Sequence, residues 1–186
     1  MKNEVSGSRV AKIVITGPES TGKSELTRQL AAIYGVTYQE ECARKLLTPG
    51  AEYDLPMLRN IARRQFEERD QKIALLQQAT TDKSGPVLFC DTDAVVLQIW
   101  ALEKFDQPLP EATQDLRDHP ADLYLLCRPD LPWEPDPLRE NPHDRDRLFE
   151  RYERFLNEHQ LPYRIVEGQG DERTACAVDR LPKFLK

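Results

Sequence analysis

The chain has 186 residues, of which 39% are hydrophobic and 31% charged, and its net charge is −6. That length suits one well-buried domain and is short for two of ordinary size. An acidic balance lacks the basic face with which nucleic-acid binders displace counterions, so a small-molecule ligand is expected and a nucleic-acid partner is not.

Four scattered cysteines form no Cys-x-x-Cys pair, and Cys90 and Cys127 fall in apolar runs, which predicts core thiols and a reducing compartment. Residues 1–10 are polar and read as a flexible tail without a leader-like apolar stretch. The apolar runs of four or five residues fall far short of the roughly 20 needed to cross a bilayer, so a cytoplasmic protein without a membrane partner is expected.

From residue 11 onward, short apolar runs alternate with longer amphipathic segments, the pattern of a single α/β domain with a parallel sheet covered by helices. A first strand is predicted over Ala11 to Thr16. A helix follows with Leu26, Leu30, Ile33 and Tyr34 on its inward face, stopped by Gly35. Val36 to Tyr38 reads as a short second strand, and Glu40 to Leu47 as a helical turn or two. Asp54 and Pro56 open a long helix reaching about Ala79, with Leu58, Ala62, Ile73 and Leu76 inward. Gln65 and Arg69 fall in the middle of that stripe and must find partners or line a pocket. A turn at Ser84 to Pro86 precedes a third strand, Val87 to Cys90, which ends at Asp91-Thr92-Asp93. A helix then runs to about Lys104, and Asp122 to Cys127 is a fourth strand. Five prolines break the stretch from Arg128 to Pro142, so a lid is expected over about 128–147. A charged helix from about His143 to His159, a fifth strand over Tyr163 to Val166 and a helix from Arg173 to about Phe184 complete the chain.

The segment Gly17-Pro18-Glu19-Ser20-Thr21-Gly22-Lys23-Ser24 meets every constrained position of the P-loop pattern, with an apolar strand before it and an amphipathic helix after it. Glycines let the backbone curl so that its N–H groups face a polyphosphate, and the start of the helix adds its positive end. Lys23 reaches the β- and γ-phosphates of ATP, and the Ser24 hydroxyl holds Mg²⁺. The pattern therefore predicts a P-loop NTPase fold that binds ATP.

A GTPase would carry Asp-x-x-Gly at the end of the third strand. Asp82-Lys83-Ser84-Gly85 lies before that strand instead, and no Asn-Lys-x-Asp guanine-reading motif occurs. Asp91, at a strand's C-terminal end, faces the ligand crevice of an open parallel sheet, where it holds Mg²⁺ or accepts a hydroxyl proton. Asp93 either binds substrate hydroxyls or caps the next helix. Phosphoryl transfer needs cations closing over the equatorial oxygens. Arg139 in the lid and Arg145 on the inward face of the charged helix are the expected clamps, whereas Arg147, Arg151 and Arg154 fall largely on the solvated side. Glu41 and Arg44, after the second strand, either contact substrate or pair with each other. Gln65 reaches the substrate cleft or rests at a stripe end, and Trp133 stacks on a planar ring or packs among the lid prolines.

The ordered set Gly17 to Ser24, Glu41-x-x-Arg44, Asp91-Thr92-Asp93, Leu123 to Leu126, Trp133, Leu138-Arg139 and Leu161-Pro162-Tyr163 resembles the ribosylnicotinamide kinase domain of the NadR type. The resemblance implies a five-stranded parallel core like that of nucleoside and nucleoside-monophosphate kinases. It also implies ATP-dependent phosphorylation of the ribose 5′-hydroxyl of nicotinamide riboside, giving nicotinamide mononucleotide for NAD synthesis. Trp133 then lies near the substrate base, and the Asp-Thr-Asp carboxylates meet its ribose and Mg²⁺. Two departures stand out: none of His119, His143 and His159 forms the His-x-Gly-His signature of the adenylyl-transferring partner domain, and Asp136-Pro137 stands where the family has Asp-Gly. A kinase for another nucleoside or small metabolite, and a non-catalytic nucleotide switch, are the alternatives.

Overall fold

The computed structural model of the protein describes residues 9–79, 85–136, 138–139 and 143–185. The tail expected over residues 1–10 falls mostly outside them, as do Ser84 of the expected turn and Pro137 and Pro142 of the proline-rich stretch.

Five strands form one sheet in the order β2-β3-β1-β4-β5: β1 Ala11–Thr16, β2 Tyr38–Gln39, β3 Val87–Asp91, β4 Leu123–Cys127 and β5 Tyr163–Val166. Every pairing is parallel, with Ile13 opposite both Phe89 of β3 and Leu123 of β4. All residues of β1, β3 and β4 are buried, which is why these segments read as unbroken apolar runs rather than as alternating ones. Their side chains nonetheless sort by parity. Ile13, Ile15, Phe89 and Leu125 pack with Leu26, Leu30 and Ala177 on one side. Val14, Leu88, Cys90, Tyr124 and Leu126 pack with Val95, Ile99, Phe149 and Leu156 on the other.

The helices are α1 Lys23–Tyr34, α2 Ala43–Leu46, α3 Leu55–Ala79, α4 Ala94–Phe105, α5 Pro110–Asp118, α6 Arg145–Glu158 and α7 Gly170–Arg180. On α1 the buried arc consists of Leu26, Thr27, Leu30 and Ala31, with Tyr34 packed against the core. Ile33, expected inward, lies just beyond that arc and is 57% exposed. Helix α5 was not foreseen, because its buried residues, Ala112 and Asp115, make no apolar stripe.

Asp115 explains the polar residue in the α3 stripe. Arg69 is 1% exposed and grips Asp115 with two bonds, Nη1 to Oδ2 at 2.6 Å and Nη2 to Oδ1 at 2.7 Å, while Nε reaches Asp70 at 2.9 Å. Burial lowers and these carboxylates raise the Arg69 pKa, and the carboxylates prevail. Removing one partner of a buried ion pair costs about 3–5 kcal/mol, whereas an apolar pair of similar volume is tolerated. Arg69→Met alone should therefore lower the melting temperature by about 6 °C or more. The double variant Arg69→Met/Asp115→Leu should recover most of that loss in the same thermal denaturation experiment.

Candidate functional site

In this sheet the chain turns from β1 towards β2 and β3 on one side and later places β4 on the other. The loop after β1 therefore sits at the point where strand order reverses, the usual ligand crevice of an open α/β sheet. Gly17 to Ser24 occupy that loop. Gly17 has φ 128°, and a Cβ there would lie 2.8 Å from the Cys127 carbonyl oxygen at the end of β4. Gly22 has φ 73° and precedes the first residue of α1. Both positions need glycine, one for space and conformation and the other for its left-handed backbone.

The loop's carbonyls are held both from within the loop and from outside it. Lys23 Nζ donates to the Pro18 carbonyl at 2.7 Å, and the Thr21 hydroxyl donates to the same oxygen at 2.8 Å. Arg145 donates to the Ser20 carbonyl at 3.0 Å and to Leu131 at 2.9 Å. Arg173 of α7, 4% exposed, donates to the Thr21 carbonyl at 2.8 Å, to the Arg128 carbonyl at 3.0 Å and to Asp130 at 2.7 Å. Sequence patterning gave no sign of Arg173, since it lies 152 residues beyond Thr21 on a helix rich in other charges. The Ser20 hydroxyl, on a residue with φ 55°, accepts from the Glu134 backbone N–H at 3.0 Å and from Arg139 at 3.2 Å. The expected lid segment thus rests on the crest of the loop.

A cavity of about 710 Å³ extends from this loop. Towards α1 and α7 its wall includes Gln29, Gly170 and Arg173; towards α4, α6 and the lid segment it includes Ile99, Trp100, Tyr152 and Leu138, with Glu41 and Arg44 on the side of α2. Arg44 donates to Asp136 of the lid segment at 2.8 Å and lies 3.9 Å from Glu41. The structure therefore brings Lys23, Ser24, Glu41, Arg44 and Arg139 onto one cavity.

Asp91 stands behind that wall, buried, with Oδ1 lacking a partner. Burial raises its pKa, while a hydrogen bond from Ser24 and the charges of Lys23 and Arg44 pull it down without prevailing. Glu41 is also raised, first by burial and then by the negative charge of Asp91, against the lowering effect of Lys23 and Arg44. An orphaned buried carboxylate oxygen next to the loop's serine fits Mg²⁺, which takes few protein ligands and completes its shell with phosphate and water.

Three expected ligand contacts take other places. The Gln65 amide donates to the carbonyls of Glu40 (3.3 Å), Asp91 (3.3 Å) and Thr92 (3.2 Å), and its oxygen accepts from the Cys42 backbone N–H at 2.8 Å. Gln65 ties together the loops after β2 and β3 from behind, rather than facing the cleft. Asp93, 2% exposed, caps α4 by accepting from the Val95 N–H at 2.9 Å and also accepts the Tyr124 hydroxyl at 3.0 Å, so its capping role prevails. The Trp133 ring lies beneath the guanidinium groups of Arg139 and Arg145, 6.0 and 5.7 Å from its centroid, and is not part of the cavity wall. Arg147 is exposed, as expected, and pairs at the surface with Glu103 of α4 at 2.6 Å; Arg151 also pairs with Glu103.

The all-parallel five-stranded sheet, with a glycine-rich loop and helix after its central strand, makes this a P-loop α/β domain of the kinase-like type. A family model described as an AAA domain matches residues 12–173, and the chain belongs to that family. Among solved structures it is similar to a NadR protein in complex with NAD and AMP-PNP, with TM-score 0.68 and 22% identity over 92% of this chain and 48% of that one. It is similar also to a NadR protein in complex with NR, with TM-score 0.69 and 22% identity over 92% of this chain and 49% of that one. A deoxyadenosine kinase from M. mycoides with bound dATP matches at TM-score 0.57 and 14% identity, over 91% of this chain and 98% of that one. The chain spans about half the length of the NadR chains it matches, and the NadR resemblance carried by the motifs holds for the fold. No helix among the described residues is long and apolar enough to cross a membrane.

The raised Asp91 pKa has a consequence for stability. A folded value above the ordinary value of about 3.9 means that the native state binds the proton more tightly than the unfolded chain does. The associated stability is present below about pH 4 and is lost as pH rises through the folded value. Asp91→Asn should therefore raise the melting temperature at pH 7, and the difference from the parent should disappear near pH 4.

Proposed function

We propose that the protein is an ATP-dependent nucleoside kinase that phosphorylates the 5′-hydroxyl of nicotinamide riboside to give nicotinamide mononucleotide. One observation carries the reading: a single cavity is lined both by the phosphate loop and by aromatic and apolar side chains of α4 and α6, with the carboxylate-bearing Glu41 also in its wall. A switch that only held nucleotide would need no such second lobe. The NadR structure in complex with NR and the deoxyadenosine kinase with bound dATP support a nucleoside as the acceptor class, and the motif set favours nicotinamide riboside within it.

The roles follow from position. The loop amides and Lys23 bind the β- and γ-phosphates. Ser24 and Asp91 would hold Mg²⁺, which when bound would supply positive charge against the phosphates. Glu41 receives the proton of the acceptor hydroxyl as its oxygen bonds to the γ-phosphorus and the bond to the β-phosphate oxygen breaks. Arg139, now on Ser20 and the Glu134 carbonyl, is within the cavity wall and moves onto the transferring group. Arg44 orients Glu41 and ties it to the lid through Asp136. Residues 11–186 act as one domain with 128–147 as its lid. The reaction is placed in the cytoplasm, where the free thiols of Cys42, Cys90, Cys127 and Cys176 stay reduced.

The deciding measurement is ADP release from Mg²⁺-ATP with a panel of nucleosides. Turnover with nicotinamide riboside and little with the others is expected. Turnover confined to another nucleoside would replace the substrate, and ATP hydrolysis indifferent to acceptor would favour a nucleotide switch. Lys23→Ala should lower kcat on the order of 10²-fold or more, and Arg139→Met by a similar factor. Because burial and Asp91 both raise Glu41, the acid limb of kcat/KM should lie above the ordinary glutamate value of about 4.3. A rate that stays flat down to pH 4 would remove Glu41 from the role of base.

A further inference from the structure

Helix α4 places Val96, Ile99, Trp100 and Glu103 at helical spacing, and all four belong to the cavity wall, so one face of this helix forms a side of the acceptor lobe. Trp100 is the flat surface on that side. Its indole Nε1 donates to the Tyr53 hydroxyl at 2.8 Å, and the two rings meet edge to face with centroids 5.6 Å apart at 81°. Tyr53 is braced in turn by the Phe105 ring at 6.2 Å and 79° and by the Lys104 ammonium 4.1 Å from its centroid. Across the lobe stand Leu148 and Tyr152 of α6. Trp100 packs against the α3 and α5 cluster and also borders the cavity, and an indole whose N–H is already satisfied offers its remaining apolar surface at little entropic cost. Trp133, by contrast, already carries two guanidinium groups and lies outside the wall.

We infer that Trp100, fixed by Tyr53, is the ring-binding wall of the acceptor lobe and sets the preference for acceptors with a planar aromatic base, while Trp133 serves the lid arginines. The inference rests on the nucleoside-kinase reading and deepens it. Stacking on an aromatic side chain tolerates any flat ring, so Trp100 selects for a base as such, and the residues around it choose among bases.

The chain's two tryptophans make the test direct. In Trp133→Phe the only indole left is Trp100, and its emission should change saturably as nicotinamide riboside is titrated without ATP. D-ribose, which has no base, should leave it unchanged. In Trp100→Phe the remaining Trp133 emission should respond weakly to the same nucleoside. Kinetically, Trp100→Leu should raise the acceptor KM about 10- to 100-fold with the ATP KM unchanged, and Tyr53→Phe should raise it by a smaller factor. A silent Trp100 beside a responsive Trp133, or an unchanged acceptor KM in Trp100→Leu, overturns the inference while wild-type turnover keeps the kinase reading. A wild-type protein that phosphorylates no nucleoside of the panel overturns both.

Discussion

A loop can turn its amides towards an anion only if its carbonyls are drawn elsewhere. In this protein that constraint is met by one cation of the loop itself and by two that arrive from distant parts of the chain. Lys23 takes the Pro18 carbonyl, Arg145 that of Ser20 and Arg173 that of Thr21. Each bond is charge-assisted, and the one from Arg173 is buried, where such bonds are strong and their loss is costly. The cup is thus built by the whole domain rather than by its eight residues. The helix α7, last of the α-helices, is as necessary to its shape as the glycines are. The lid segment joins the same arrangement because Arg139, the Glu134 N–H and Arg145 all meet at Ser20.

This dependence explains what could be read from the sequence. Local signals served well: glycine at positions of fixed conformation, apolar runs in strands buried on both faces, and prolines through the stretch after β4. The bounds of β1 and β5 came out as read, and those of β3 and β4 to within one residue. What failed was non-local. Arg173 looked like one charge among many on α7, and nothing at its own position says that it meets Thr21. Gln65 and Arg69 were visible as anomalies in the α3 stripe. Their partners, the β2 and β3 loops for one and Asp115 for the other, lie 23 to 46 residues away. Because α5 buries a carboxylate instead of a leucine, the helix and the ion pair were hidden by the same substitution. Ile33 shows the opposite error: apolar character placed it inward, although the arc from Leu26 through Ala31 passes it by.

The two tryptophans show why residue type alone could not point to the proposed acceptor wall. Trp133 had the context that draws attention, a proline-rich loop beside arginines, and in the structure that context is its function: two guanidinium groups lie on its ring. Trp100 sits in the middle of an ordinary apolar helix, where a core role is the default. Only the cavity shows a second use of this helix: Ala94, Leu97 and Ala101 pack into the α3 and α5 cluster with Trp100 against it, Val96 and Ile99 pack under the sheet, and Val96, Ile99 and Trp100 also border the cavity.

Asp91 and Glu41 bring these lines together. Both carboxylates are held above their ordinary pKa mainly by burial, and each is near Lys23 and Arg44. Those cations and the Ser24 hydrogen bond offset the burial of the two acids only in part. Gln65 holds the backbone beside both, through the carbonyls of Glu40 and Asp91. A divalent cation beside Asp91 and a hydroxyl proton on Glu41 would each offset the effect of burial on these groups. The proposed division of labour follows from exposure: Asp91, buried behind the wall and beside Ser24, is placed for the cation, and Glu41, itself part of the cavity wall, for the proton.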